Sequence, residues 1–394
     1  MDNLQMIKDV VAELHEGLLA TYCDLHAHPE LSFRESGTAE RIALHLAEEG
    51  IDYRTIANTG LLAKIEGTAE GADLRRAIVL RADIDALPIE EATELPYAST
   101  NKGVMHACGH DLHATILLGT LAVLNRCRHL LGCTIFGVFQ PGEELNPGGA
   151  KLVLGENPFE GYEVVAVVGN HAEPELKVGT VGICSGQYMA ACDELHFTLR
   201  GRGGHAALRA KIVDPILPAA KLIEGLYEIP ASAPEGVGTT IISIGRVVAE
   251  GATNVVPDEV RLEGTMRTFD GPWREEIMRR ISGLCRELEE RCGVTIDNNF
   301  GEGYPAVYNN PELAAKASTL LREVGEVVTL GTRPTGEDFG YYSQHYPSIF
   351  YRVGVGRGEE GPSVGALHTA TFAPATESID HGVVAMAMMA IGLW

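Results

Sequence analysis

No stretch of this chain approaches the roughly 20 apolar residues that a membrane-spanning helix needs. Residues Met1 to Val11 mix Asp2, Lys8 and Asp9 among apolar neighbours, with no basic region ahead of an apolar one, and do not read as a secretory signal. Positive charge is scarce: 31 Lys and Arg face 54 Asp and Glu, a formal net charge of -23. Such a surface repels phosphate backbones and anionic lipid, so neither nucleic acid nor membrane is an expected partner. Eight cysteines occur, but no Cys-x-x-Cys and no density of the kind that staples small secreted domains. Reduced thiols and a cytoplasmic location are expected. Internal repeats and low-complexity stretches are also missing, which excludes a solenoid.

What is present is an ordinary globular composition, 45% hydrophobic and 22% charged, spread over 394 residues. That length exceeds one ordinary core, and two domains are expected. In the first third, helices alternate with strands. Residues 4 to 26 and 36 to 49 read as helices, the second with Ser36 as its N-cap and Gly50 closing it. Strand-like runs follow at Ile51 to Ile56, Leu61 to Glu66 and Ala77 to Leu80. Then come a helix from Asp111 to about Arg128, a strand at Thr134 to Phe139 and an apolar strand at Val164 to Val168. This predicts an α/β domain, a mixed sheet covered by helices on both faces.

From about Tyr188 the rhythm changes to strands at Asp193 to Leu199, Thr239 to Val248 and Glu259 to Phe269. Between and after them lie a helix at Asp214 to Tyr227 and an amphipathic helix, Pro272 to Cys292, with Ile277, Ile281, Leu284 and Leu288 on one stripe. A smaller inserted α+β domain over residues 188–302 is expected, splitting the α/β domain into 1–187 and 303–394. The last part ends in an apolar helix from Thr376 to Trp394.

Two clusters carry chemistry. Cys108 and His110, two residues apart, offer a thiolate and an imidazole, both good ligands for zinc and similar ions. Glu143 and Glu144 close an apolar run, where one carboxylate can hold metal while its neighbour moves protons. On extended chain the two would face opposite directions. Taken singly, each has a plain alternative: a buried thiol beside a surface histidine, or a solvated acidic pair. A Cys-His nucleophile couple is disfavoured by the acidic residues around it, which oppose a thiolate. His171, ending an apolar strand, and His368, in a small-residue loop, are further ligand types that could equally be packing residues. The glycine-rich Gly201 to His205 lacks the context of a phosphate cradle and reads as a tight turn presenting His205. Asp83 and Asp85, after a strand, could be ligands themselves, but better suit carboxylates that orient a metal-bound imidazole.

In combination these stretches resemble the dinuclear metal-dependent amidohydrolases that include hippurate hydrolases, N-acyl-amino-acid deacylases and hydrolases of indoleacetic acid conjugates. The likeness runs nearly end to end: His28 to Ser32, Arg81 to Pro88, His106 to His113, Phe139 to Glu144, Gly201 to Ala207, Asn254 to Asp258, Gly264 to Arg267, Glu337 to Phe339 and Leu367-His368. By that resemblance the ligands of two divalent ions per subunit would be Cys108, His110, Glu144, His171 and His368, with Cys108 bridging. Zinc or manganese is expected, with cobalt or nickel acceptable to the same donors. The resemblance makes Glu143 the general base and acid, and places Asp83, Asp85 and His113 behind the ligands. It also implies a smaller domain acting as lid and dimerisation surface, so that a homodimer or higher homo-oligomer is expected. His205 would reach the partner's site to polarise the scissile carbonyl, and Asn254 and Arg267 would hold the substrate's carboxylate.

The expected reaction is hydrolysis of an N-acyl amino acid. A dipeptidase or carboxypeptidase using the same residues is the alternative, and a catalytically inactive binding module on the same fold is a more distant one. After Ala207 the chain departs from many relatives, reading Leu208-Arg209-Ala210-Lys211 where a Pro-His pair is usual, which bears on substrate preference.

Overall fold

The computed structural model describes residues 3–301, 303–358, 361 and 363–394. The chain divides into two compact units: Met1–Gly186 with Tyr308–Gly331 and Tyr341–Trp394, and Gln187–Val307 with Thr332–Gly340. The short return of Thr332–Gly340 to the second unit interrupts the 303–394 stretch. Its anchor is backbone pairing, with Ala190 donating its N–H to the Arg333 carbonyl at 3.0 Å and Arg333 donating to Tyr188 at 2.7 Å.

The first unit is built on an eight-stranded sheet, ordered Asp52–Ile56, Gly60–Glu66, Thr134–Gln140, Arg76–Asp83, Glu163–Lys177, Ser348–Gly356, Thr180–Ile183, Glu326–Thr329. The four strands from Thr134–Gln140 to Ser348–Gly356 run parallel, and antiparallel neighbours flank them. Thr134–Gln140 and Ser348–Gly356 are buried at every residue, which requires cover on both faces. Because side chains alternate, Ile78, Leu80, Ile135 and Tyr351 join one core with Ile7, Leu117, Leu321 and Val383. These last four belong to the helices Asn3–Ala27, His110–Arg126, Pro311–Val324 and Ser378–Gly392. On the opposite face Phe136 packs on Phe159 and Tyr162, ring centroids 5.3 and 4.9 Å apart. Each fully buried Leu, Ile or Phe contributes roughly 1.5–3 kcal/mol relative to exposure.

One helix start differs from expectation. Ser36 is the first residue of the helix Ser36–Glu48 and makes no cap. The Glu30 carboxylate does this work, accepting from the Thr38 N–H at 2.7 Å and the Thr38 hydroxyl at 2.9 Å, where negative charge also suits the helix dipole. Gly50, at φ +65, closes the helix as expected: its N–H goes to Ala47 and that of Ile51 to Leu46.

The second unit has a four-stranded antiparallel sheet, ordered Ile241–Val248, Glu259–Thr268, Ala191–Arg200, Thr295–Phe300. Helices Ile216–Glu228 and Gly271–Cys292 pack Leu222, Leu226, Ile277, Ile281 and Leu288 onto Leu195, Phe197 and Leu262. Leu284 is only partly buried at the rim of that core. Asp270 caps the longer helix through the Trp273 N–H at 2.8 Å. Among the described residues, no helix is long and apolar enough to cross a membrane.

Candidate active site

Cys108 and His110 flank Gly109, which sits at φ +88, a conformation open to glycine at little cost. A Cβ there would lie 3.3 Å from Ala172 Cβ, so the turn is also held close to the strand Glu163–Lys177. The turn runs into the helix His110–Arg126, making His110 its first residue. Cys108 Sγ lies 3.3 Å from His171 Nε2 and 3.2 Å from His368 Nε2. Glu144 Oε1 is 3.2 Å from His368 Nε2 and 3.9 Å from His110 Nε2. Donor atoms of Cys108, His110 and His171, of Cys108, Glu144 and His368, and of His110, Glu143 and Glu144 each fall within 4.8 Å of one another. The first unit therefore gathers into one cluster the five residues expected to hold metal, together with Glu143.

Two details of local geometry depart from the sequence reading. His171 is not at a strand exit, because Glu163–Lys177 continues past it, held by pairing of Arg352 with His171 and of Gly354 with Glu173. Glu143 and Glu144 lie in a turn, not on extended chain, so both carboxylates face His110 instead of opposite sides.

Two of the ligand-type imidazoles, His110 and His171, are fixed from behind. His110 Nδ1 bonds Asp85 Oδ1 at 3.0 Å, and the other Asp85 oxygen accepts from the Glu144 N–H at 3.0 Å and the Ser32 hydroxyl at 2.7 Å. His171 Nδ1–H is given to the Ala172 carbonyl at 2.9 Å, which leaves Nε2 with its lone pair toward Cys108. His113 is saturated, donating from Nδ1 to Asp83 at 2.6 Å and accepting the Ala172 N–H at Nε2, so it braces the cluster. Asp83 also takes Arg81 at 2.6 Å.

This leaves His110 Nε2 and Glu144 Oε1 buried without a hydrogen-bond partner. A buried polar atom left unpaired costs roughly 1–3 kcal/mol; Glu144 Oε1 still has the His368 imidazole at 3.2 Å, but His110 Nε2 has no such neighbour, and its convergence with a carboxylate, a thiol and two imidazoles fits a cation-binding cluster. Charge agrees with this. Burial opposes ionisation of Asp83, but His110 and Arg81 beside it hold its carboxyl well below the usual range. Burial, reinforced by Arg352, keeps His171 well below its ordinary value and therefore neutral. Burial and then Glu144 raise the Cys108 thiol, while Cys108 and Glu144 push His368 up to about 10.

The remaining expected residues lie in the second unit. His205 is exposed, on a two-residue strand whose partner is Val255–Val256. Asn254 adjoins it, its carbonyl accepting the Ala206 N–H at 2.9 Å. The tight turn is real: Gly204 has φ +147 and the Gly203 N–H is held by Asp258 at 2.7 Å. Arg267, half-buried on Glu259–Thr268, donates to Thr265 and, at 3.1 Å, to the Met266 carbonyl. Arg209 is exposed and ion-paired to Asp214 at 3.2 Å.

Sequence reading did not single out Ser32, Arg81, Gln140 or Arg352 for roles at the site. Arg81 and Arg352 carried a usable signal, a cation set among apolar strand residues, which has to be paired when buried. Arg81 is wholly buried and reaches Gln140 at 3.0 Å as well as Asp83. Ser32 carried none.

The sequence pattern of peptidase family M20/M25/M40 matches residues 79–390. An N-acetylcysteine deacetylase of Bacillus subtilis (strain 168) is 36% identical over 349 residues, 88% of this chain and 90% of that protein. An N-acetyldiaminopimelate deacetylase of Exiguobacterium sibiricum is 35% identical over 359 residues, 90% of this chain and 94% of that one. Among solved structures, a putative aminohydrolase from methicillin resistant Staphylococcus aureus superposes with a TM-score of 0.90 at 30% identity, covering 98% of both chains. A dinuclear metal binding peptidase of Bacillus subtilis, from the M20 family, gives 0.82 at 33% identity, covering 96% of this chain and 98% of that one. With most of its length matched in sequence and fold, this chain belongs to peptidase family M20/M25/M40 and is a hydrolase of amide bonds.

Proposed function

We propose that the protein hydrolyses N-acyl amino acids to a carboxylic acid and a free amino acid, with two divalent ions held by Cys108, His110, Glu144, His171 and His368. The observation that carries this reading is the convergence of those donors around the buried Cys108, His110 and His171, with His110 Nε2 left without a hydrogen-bond partner. Relatives named as deacetylases of N-acetylcysteine and N-acetyldiaminopimelate support the substrate class, and the dinuclear M20 structure supports two ions. Zinc or manganese suits the donor set. Ions at this cluster would supply a lowered water pKa and a polarised amide carbonyl.

The chain's own residues do the rest. Glu143, buried beside His110 and Glu144, takes the proton of the attacking water and passes it to the leaving amine. Asp85 and Asp83 orient imidazoles, and their charge favours cation binding. His205 polarises the scissile carbonyl from a partner subunit, while Asn254 and Arg267 hold the substrate's carboxylate. Assembly as a homodimer through residues 188–302, which also serve as lid, is supported by the open edge of the second sheet. Its edge strand Ile241–Val248 exposes Ile241 and Val247, and the helix beside it exposes Ile216, Leu217 and Tyr227. Eight free thiols suit a cytoplasmic setting.

The test is a panel of N-acetyl amino acids and dipeptides, assayed on protein stripped by a chelator and then reloaded with zinc or manganese. Amide cleavage that disappears on stripping and returns on reloading is expected. Full activity in metal-free protein, or no cleavage of any N-acyl amino acid, overturns the reading.

A further inference from the structure

Glu143 sits between two backbone N–H groups, each given to a buried carboxylate. On its C-terminal side the Glu144 N–H goes to Asp85 at 3.0 Å. On its N-terminal side the Gly142 N–H goes to Glu35 Oε1 at 2.9 Å. Glu35 is wholly buried, and it uses both oxygens: Oε1 also accepts the Phe33 N–H at 2.8 Å, and Oε2 accepts the Thr59 hydroxyl at 2.6 Å. The Phe33 ring covers Gly142, where a Cβ would fall 2.3 Å from Cε1, and the Gly142 carbonyl takes the Gly149 N–H at 3.1 Å. The turn before Glu143 is thereby held at its amide, its carbonyl and its open face.

The two carboxylates differ in one respect. Asp85 also bonds His110, so changing it disturbs the metal cluster and the turn together. Among the described residues the Glu35 carboxylate bonds Phe33, Gly142, Thr59 and its own backbone N–H, none of them a residue assigned to metal.

We propose that Glu35 is a positioning residue of the hydrolytic reaction, acting through the Gly142 amide to fix the placement of the Glu143 base without touching the metal ligands. This rests on the assignment of Glu143 made under the proposed function. General-base catalysis requires the carboxylate within hydrogen-bond reach of the proton it removes, and a displacement of about 1 Å can cost on the order of 100-fold in rate. A carboxylate is suited to the position because every partner donates to it.

The test compares Glu35→Ala, Glu35→Asp and Glu35→Gln, each loaded with zinc, for kcat, KM, bound metal per chain and Tm. Alanine removes the acceptor, and aspartate withdraws it from Gly142 while keeping the charge. Both are expected to lower kcat by about 10- to 100-fold, with KM within about threefold of the wild type and bound metal unchanged. Glutamine can present its amide oxygen to the two backbone N–H groups and its NH2 to the Thr59 hydroxyl, which then accepts. It is expected to restore kcat to within about threefold. If the alanine variant does not fold, the aspartate and glutamine variants decide the matter by the same split. Wild-type kcat in the aspartate variant, equal losses in aspartate and glutamine, or a loss of kcat that tracks a loss of metal overturns the inference. Wild-type protein that, loaded with metal, cleaves no N-acyl amino acid overturns the hydrolase reading, and this inference with it.

Discussion

Neighbouring glutamates, alike in chemistry, are assigned different work because their surroundings differ. Glu144 turns Oε1 to His368 at 3.2 Å and toward His110 at 3.9 Å, while Glu143 is more deeply placed and is the member assigned to proton transfer. Glu143→Ala is expected to keep its metal and lose turnover by roughly 100- to 10,000-fold, the usual range for removing a general acid–base. Glu144→Ala is expected to lose metal. Metal analysis alongside kcat separates the two, and the reverse pattern would sink the assignment. Cys108→Ser replaces a charged soft ligand by a neutral hydroxyl and should weaken metal retention. Because burial and Glu144 raise the wild-type thiol, metal uptake should release protons and weaken as pH falls, which calorimetry in buffers of different ionisation heat would reveal.

Elements are tied to one another by buried charge. His26, near the end of the helix Asn3–Ala27, bonds Asp111 at 2.6 Å and Glu91 at 3.2 Å, joining that helix to the start of His110–Arg126 and to the loop between Asp83 and His106. Burial opposes its charge, but the two carboxylates win and raise it to about 10. A raised histidine contributes stability in full below its unfolded value near 6.5, and that contribution is lost as pH rises through about 10. At about 1.4 kcal/mol per unit the upper limit is about 5 kcal/mol. Urea unfolding of wild type and His26→Gln should therefore differ most near pH 6 and converge toward pH 10. A difference that is constant with pH would contradict this. Gly142→Ala should destabilise by on the order of 1–3 kcal/mol, since Gly142 sits at φ +62 under the Phe33 ring.

At this scale the sequence was readable wherever a period was local. The buried stripe of Gly271–Cys292 and the apolar run Thr134–Gln140 announce themselves by spacing alone. Spacing also places Cys108 beside His110, since two residues cannot be far apart. It could not bring His171 and His368 to Cys108, because that meeting depends on strand order and on a loop after Ser348–Gly356; the resemblance to known hydrolases supplied it. The length of Glu163–Lys177 was hidden because its last four residues are half-buried or exposed, looking like loop until the partner strand is known. The cap from Glu30 was hidden for the same reason: it comes from eight residues before Thr38.

For the whole molecule, the proposed dimer makes two predictions. Co-expressing Glu143→Ala and His205→Ala chains should give mixed dimers with one intact site of two, roughly a quarter of wild-type activity if pairing is random. If His205 serves its own chain, activity stays at the level of the separate mutants. Val247→Lys on the open edge strand should shift sedimentation toward monomer while leaving the second unit folded, because Val247 is exposed. An unchanged sedimentation coefficient would move the interface elsewhere.

The strand order also governs how the protein can be made on the ribosome. Ser348–Gly356 lies between Glu163–Lys177 and Thr180–Ile183, so a gap stays open in the middle of the larger sheet until residues near the C-terminus have emerged. The four-stranded sheet and two long helices of the second unit are complete by residue 300, with only Thr332–Gly340 of that unit still to come, and can form while the first unit waits. During that wait the first 186 residues hold apolar strands without their central partner, the condition in which nascent chains recruit chaperones or aggregate. Synthesis halted before His368 should yield a protein with a folded insert and no hydrolase, however much metal is supplied.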